Sequence, residues 1–147
     1  MKKEEFAVRL AAKEDLPIVY EIEKRSFKDP YPPFFIEMLL NLNPKTFLVG
    51  EKEKRVIGYV VATRDRSTGH IVSIAVSSEE RRKMVGRRLL ERALEILRKV
   101  EVETVRLEVR KSNRDAQRFY EALGFEYNHE IAAYYGDEDA LVYYKKL

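Results

Sequence analysis

The sequence has no cysteine, no tryptophan and only two histidines, His70 and His129, in 147 residues. It therefore cannot build a disulfide framework, a thiolate zinc site or a cysteine nucleophile. Two histidines far apart in the chain do not make a histidine metal cluster, so no metal cofactor is expected. No apolar run approaches the roughly 18 residues that a membrane-spanning helix needs, which argues against a membrane partner. The opening Met-Lys-Lys-Glu-Glu lacks the apolar centre of a signal peptide, so the cytoplasm is the default compartment. Neither sign of charge dominates: 28 basic against 25 acidic residues leave a net charge of +3. A general nucleic-acid binder would carry a larger excess, and no nucleic-acid partner is expected.

What is present suits a folded, highly charged globule. Hydrophobic residues make up 45% and charged residues 36% of the chain. The length fits one domain, expected to span 1–147, with a core of its own. There is no internal repeat, low-complexity segment or linker.

Phe6 to Leu10 reads as a strand and Ala12 to Phe27 as a helix, with Leu16, Val19, Tyr20, Ile22 and Glu23 in a mixed stripe. Pro17 falls in the first turns, where proline is tolerated. Lys28 to Pro33 is dense in proline and must be an extended loop. A short helix follows over Phe34 to Leu42. Strands are expected over 46–51 and 56–63, then, after a turn at Asp65 to Gly69, over His70 to Ser77. Residues 84–100 form a helix, Thr104 to Arg110 an alternating strand, and Arg114 to Leu123 a helix closed by Gly124. Phe125 to Tyr135 and Asp139 to Lys145 are the last strand candidates. Such mixed order argues for an α+β or mixed α/β fold around one central sheet.

The most informative segment is Arg81-Arg-Lys-Met-Val-Gly-Arg-Arg88, with five basic residues in eight. It lies between the β-branched run 71–76 and a helix with apolar residues at 89, 90, 93, 94 and 97. A helix N-terminus carries free N–H groups and positive partial charge, so an anion there would meet donors and cations together. The turn is neither a P-loop, lacking Gly-Lys-Ser/Thr, nor a dinucleotide fingerprint, because Gly86 is its only glycine. The second constellation runs from Leu107 to Phe125: a strand, a polar corner and a helix. Asn113 can cap that helix. Phe119 and Leu123 share a face expected to pack in the core, with Tyr120 near its edge.

Arg81-x-x-Met84-x-Gly86 resembles the pyrophosphate motif Gln/Arg-x-x-Gly-x-Gly/Ala of the GNAT superfamily of N-acetyltransferases. Ser112-Asn-x-x-Ala-x-x-Phe-Tyr-x-x-x-Gly-Phe125 resembles that superfamily's second CoA-binding segment. Gly69-His-Ile-Val-Ser-Ile-Ala-Val76, Leu107-Glu-Val-Arg110 and the tail Tyr134-Tyr135…Asp137-Glu-Asp-Ala140 are similar to the N-terminal α-amino acetyltransferases, both NatA-type and ribosomal-protein enzymes. Met84 departs from the pattern, standing where the family has glycine, and is expected to crowd a pyrophosphate.

The resemblance implies the acyl-CoA N-acyltransferase fold, a mostly antiparallel seven-stranded central sheet with about four helices. It implies acetyl-CoA as cosubstrate and acetylation of the first residue of a polypeptide, nascent or ribosomal, with an auxiliary subunit as a possible partner. Ile74, Ala75 and Val76 would lie along the cofactor, Val76 giving a backbone N–H to the acetyl oxygen. Arg81, Arg82, Lys83, Met84, Val85, Gly86 and Arg87 would surround the pyrophosphate, and Asn113 would bond the pantetheine arm. Glu108, which an alternating strand points away from Leu107 and Val109, is the first candidate base. His70 is the second, and Tyr120 the acid for the departing thiolate. Phe27, Asp29, Tyr31, Tyr134 and Tyr135 would flank the substrate N-terminus, where Asp29 could meet a free amino group. The alternatives are a GNAT acting on a small amine or polyamine, a non-catalytic acyl-CoA-binding module, and, on the basic turn alone, a nucleic-acid-binding module.

Overall fold

A computed structural model describes residues 5–147; the N-terminal run through Glu4 lies outside the described residues. In chain order the elements are β1 (Ala7–Leu10), α1 (Leu16–Ser26), α2 (Pro33–Leu42), β2 (Phe47–Lys52), β3 (Arg55–Asp65), β4 (Thr68–Val76), α3 (Val85–Lys99), β5 (Thr104–Arg110), α4 (Arg114–Ala122), β6 (Glu126–Ile131) and β7 (Ala140–Lys146). The strands form one seven-stranded sheet in the order β1-β2-β3-β4-β5-β7-β6. Every neighbouring pair is antiparallel except β4 and β5.

Both faces of the sheet are covered, and the period-2 alternation of the strands decides which side chain goes where. Leu48 and Val60 face a core built with α3, whose Val85, Leu89, Leu90, Ala93, Leu94 and Leu97 are all buried. Their neighbours Val49 and Val61 face a second core with Val19 and Ile22 of α1 and Ile36, Leu39 and Leu40 of α2. Each large apolar side chain buried this way contributes about 1.5–3 kcal/mol before entropy is charged against it.

Local chemistry sets the ends. Asn113 Oδ1 accepts the Ala116 N–H at 3.1 Å and starts α4 as expected. Gly124 ends that helix at φ +92°, where a Cβ would lie 2.5 Å from Lys145 Nζ. The β3–β4 hairpin turns tighter than expected, through Arg66 and Ser67. The strand expected over 125–135 stops at Ile131. Ala133 (φ 52°) and Gly136 (φ 87°) turn the backbone there, and Asp139 Oδ1 accepts the Ala133 N–H at 2.8 Å. Tyr134 and Tyr135 therefore sit in a loop rather than a strand. In α4 it is Tyr120 that is buried, while Phe119 and Leu123 are only partly so, the reverse of the expected burial.

Candidate active site

β4 and β5 pair only at Thr68–Thr104, Gly69–Val105 and His70–Arg106. Beyond His70 they part, although both continue, β4 to Val76 and β5 to Arg110. The backbone edge of β4 from 71 to 76 thus faces an opening in the middle of the sheet, where its outward N–H groups are available to a ligand, while the Val76 carbonyl accepts from Arg81 Nε at 3.1 Å.

On one side of the opening lies a groove of about 790 Å³. Its walls include Ile74, Ala75 and Val76 of β4, Arg81, Arg82, Met84, Val85, Gly86 and Arg87 at the head of α3, and Asn113, Ala116, Phe119, Tyr120 and Leu123. No side chain caps α3, so its first N–H groups remain free to meet a ligand. Arg82 (φ 64°) and Met84 (φ 70°) both hold left-handed backbone at its entrance. Alternating conformations of this kind turn successive N–H groups into one concavity, an anion nest, at a cost of order 1 kcal/mol for each non-glycine residue. Gly86 packs under Phe119: a Cβ there would meet Phe119 Cζ at 3.4 Å. A donor-rich, cationic cradle with a close-packed glycine fits the pyrophosphate of CoA. Lys83 is the exception among the residues expected there. It is not part of the groove wall and approaches the buried Glu80 at 3.7 Å. Met84 does not close the groove; its side chain is 57% exposed at the rim.

On the other side is a smaller channel of about 360 Å³, lined by Phe27, Asp29, Tyr31, Tyr134 and Tyr135, which we call its roof, and by Glu23, Val72 and Ser73. Tyr134 and Tyr135 stack edge to face at 4.9 Å. Burial raises the phenol pKa of Tyr31, Tyr134 and Tyr135, and the nearby Glu108 carboxylate adds to the rise in each. All three stay neutral donors at physiological pH. Asp29 does not present a free carboxylate: Arg110 Nη2 donates to it at 2.9 Å. The same guanidinium holds Asp137 at 3.0 Å and Glu138 at 3.3 Å, and lies 4.4 Å from the Tyr135 ring centre. Lys28 also bonds Asp137. The proline-rich loop and the Tyr134–Asp139 loop are thereby clasped to the end of β5.

Groove and channel meet. Phe27, Ile74, Glu108, Arg110, Tyr120 and Tyr135 belong to both walls. Glu108 projects into this junction because Leu107 and Val109 on either side are buried in the core. His70 Nε2 and Glu108 Oε1 are hydrogen-bonded at 2.7 Å, and Arg106 Nη1 stands 3.5 Å from the other carboxylate oxygen. His70 itself is part of neither wall and reaches the junction only through Glu108. Tyr120 lies between Phe119 and Phe125, and burial pushes its phenol pKa up.

The Acetyltransferase (GNAT) family model matches residues 16–125, which include both motifs and the opening between β4 and β5. The chain belongs to the GNAT acetyltransferase family. An N-acetyltransferase of Methanocaldococcus jannaschii is 38% identical over 95% of this chain and 90% of its own length. An N-alpha-acetyltransferase of Sulfurisphaera tokodaii is 31% identical over 95% and 92%. The crystal structure of Ard1 from Thermoplasma volcanium superposes with a TM-score of 0.94 at 30% identity, covering 97% of both chains. The chain is thus an N-acetyltransferase, and enzymes of this fold use acetyl-CoA.

Sequence reasoning about this GNAT enzyme missed three polar residues at its cleft. Ser73 on β4 looks like an ordinary strand residue. Arg110 looks like one more charged residue of the alternating strand, because its three carboxylates lie 27 to 81 residues away. Glu23 gave the one usable signal, a carboxylate inside an otherwise apolar helical stripe. Among the described residues no group of three or more His, Asp or Glu side chains is placed to hold a metal, and no helix is long and apolar enough to cross a membrane.

Proposed function

We propose that the enzyme transfers the acetyl group of acetyl-CoA to the free α-amino group of a polypeptide's first residue. The observation that carries this reading is the meeting of an anion-binding groove and a tyrosine-roofed channel at one carboxylate, Glu108. Acetyl-CoA supplies an activated thioester. The head of α3, with Arg81, Arg82 and Arg87, holds its pyrophosphate, the parted edge of β4 at 74–76 aligns its arm, and Asn113 bonds that arm. Val76 N–H stabilises charge on the carbonyl oxygen.

An α-amino group has a reference pKa of about 8, so a modest base suffices to free its lone pair. Glu108 and His70 take that proton, His70 through the 2.7 Å contact or a water. The amine nitrogen then bonds the carbonyl carbon, the carbon–sulfur bond breaks, Tyr120 gives its phenol proton to the leaving sulfur, and the second proton shed by the nitrogen restores the phenol. Burial keeps Tyr120 protonated, so that proton is present throughout the working pH range.

The tyrosine hydroxyls of the channel suit a peptide backbone, because they bond amides without reading side chains. A small polyamine would be better served by open carboxylates. Of the three acids in the channel, Glu108 is bonded to His70, Asp29 is engaged by Arg110 and Glu23 by three donors. The same reading takes in nascent or ribosomal chains as acceptors, alone or presented by an auxiliary subunit. A library of peptides with free and blocked N-termini, incubated with acetyl-CoA and read by mass spectrometry, tests it. Acetylation at free α-amino groups is expected; acetylation of blocked peptides at internal lysines would overturn it.

A further inference from the structure

Glu23 is 2% exposed and takes no part in the chemistry above, yet it lies in the channel wall. Its carboxylate gathers groups from three segments. Tyr59 Oη on β3 and Ser73 Oγ on β4 both donate to Oε1, Ser73 at 2.8 Å, and the two hydroxyls are 3.0 Å apart. The backbone N–H of Tyr31 donates to Oε2 at 3.0 Å. Tyr59 is 1% exposed, and burial beside Glu23 drives its phenol pKa well up, so the hydroxyl stays a donor. Isolating a carboxylate from water costs several kcal/mol unless donors replace the solvent, and here three do.

Pro30, Pro32 and Pro33 flank Tyr31, and proline has no N–H to give. The one backbone donor between Asp29 and Phe34 is therefore Tyr31, and it is spent on Glu23. The Tyr31 ring, stacked on Phe35 at 4.7 Å, forms the channel roof.

We infer that Glu23 is a positioning residue for the acceptor: its buried carboxylate fixes the Tyr31 backbone, and through it the roof of the channel, to β3 and β4. The inference rests on the channel being the peptide site. Its signature is one-sided, because neither Glu23, Tyr31 nor Ser73 lines the CoA groove. Glu23→Gln keeps the shape but removes the charge and turns one acceptor into a donor. It should raise KM for the peptide about tenfold or more, the loss of a charge-assisted hydrogen bond, with KM for acetyl-CoA within about twofold. In a Tyr31→Ala background most of that increase should disappear, because the ring that Glu23 positions is gone.

Amide hydrogen exchange reads the same link without a substrate. The Tyr31 N–H should be protected in the wild type and exchange at least about tenfold faster in Glu23→Gln. Should Glu23→Gln not fold, Tyr59→Phe, which removes one donor and keeps the ring, should produce the same one-sided change at smaller size. Equal changes in both KM values, an undiminished effect without the Tyr31 ring, or unchanged Tyr31 exchange would each overturn the inference. If the wild type leaves peptides unacetylated, the acceptor reading fails instead, and Tyr31 exchange still decides whether Glu23 holds the loop.

Discussion

At the head of α3, Arg82 has no hydrogen bond or ion pair among the described residues, and the N–H groups beside it are uncapped. At the end of β5, Arg110 is shared by Asp29, Asp137 and Glu138 and covered by the Tyr135 ring. The two ends of one cleft thus use arginine in opposite ways. The first leaves positive charge and donors exposed for an anion, and such contacts weaken as salt rises. The second neutralises its charge internally, and uses it to tie two loops to the end of β5. On the proposed reading, the cofactor end would bind by electrostatics on a regular element, and the acceptor end would select by shape, on loops held in place by ion pairs.

The junction between these regions should give the largest effects. Glu108→Gln and Tyr120→Phe should each lower kcat by roughly 10- to 1000-fold, and Glu108→Gln with His70→Ala by more than either single change. Steady-state kinetics with both substrates varied checks this; wild-type turnover in both single variants would remove these residues from the chemistry. At the open end, Arg82→Glu with Arg87→Glu should weaken CoA binding by about 100-fold or more and flatten its salt dependence, as measured by calorimetry. At the neutralised end, Arg110→Met should raise the peptide KM about tenfold with little added salt dependence, because the charge it removes was already paired.

Acid tests the same clasp. Hydrogen bonds from Lys28 and then Arg110 hold the Asp137 carboxyl at a pKa of about 2, below its ordinary 3.8. A depressed carboxyl pKa contributes stability above its unfolded value and loses it as pH falls toward the folded one. The tyrosine near-UV circular dichroism of the channel should therefore be constant above about pH 5 and fade between about pH 4 and 2. The smallest effect is expected at Met84. Met84→Gly places the residue best suited to φ 70° at the groove's rim, and should tighten CoA by a few fold while changing stability by less than about 1 kcal/mol.

Regular elements were legible because their periodicity is strong. The α3 stripe and the alternation of β5 led directly to the core and to Glu108 at the junction. The basic turn was legible as the head of α3, where it lines the groove, because charge and a helix start coincide in sequence. Three kinds of feature were not. The burial of Tyr120 over Phe119 depends on which side of α4 meets the sheet, and a helical stripe fixes a face but not its neighbour. The end of β6 at Ile131 was signalled only by Gly136 and the acids after it, whose bond to Ala133 closes the turn. The cluster of Glu23, Tyr59 and Ser73 joins positions up to 50 residues apart, and nothing local marks such a set.

The three residue pairs that join β4 to β5 also bear on how the protein unfolds. Among the described residues they are the only ladder between a four-stranded N-terminal block, β1 to β4, and a three-stranded C-terminal block, β5 to β7. A seam so short leaves the two blocks joined mainly through the core they share around α3, so its amides should be among the first of the sheet to open. A ligand lying in the gap touches both blocks and so behaves as mortar. At 100 times its dissociation constant it would add about 2.7 kcal/mol to the folded state. That gain would fall on the amides of β4 and β5 that border the gap, more than on those of β1 and β2, which lie away from it.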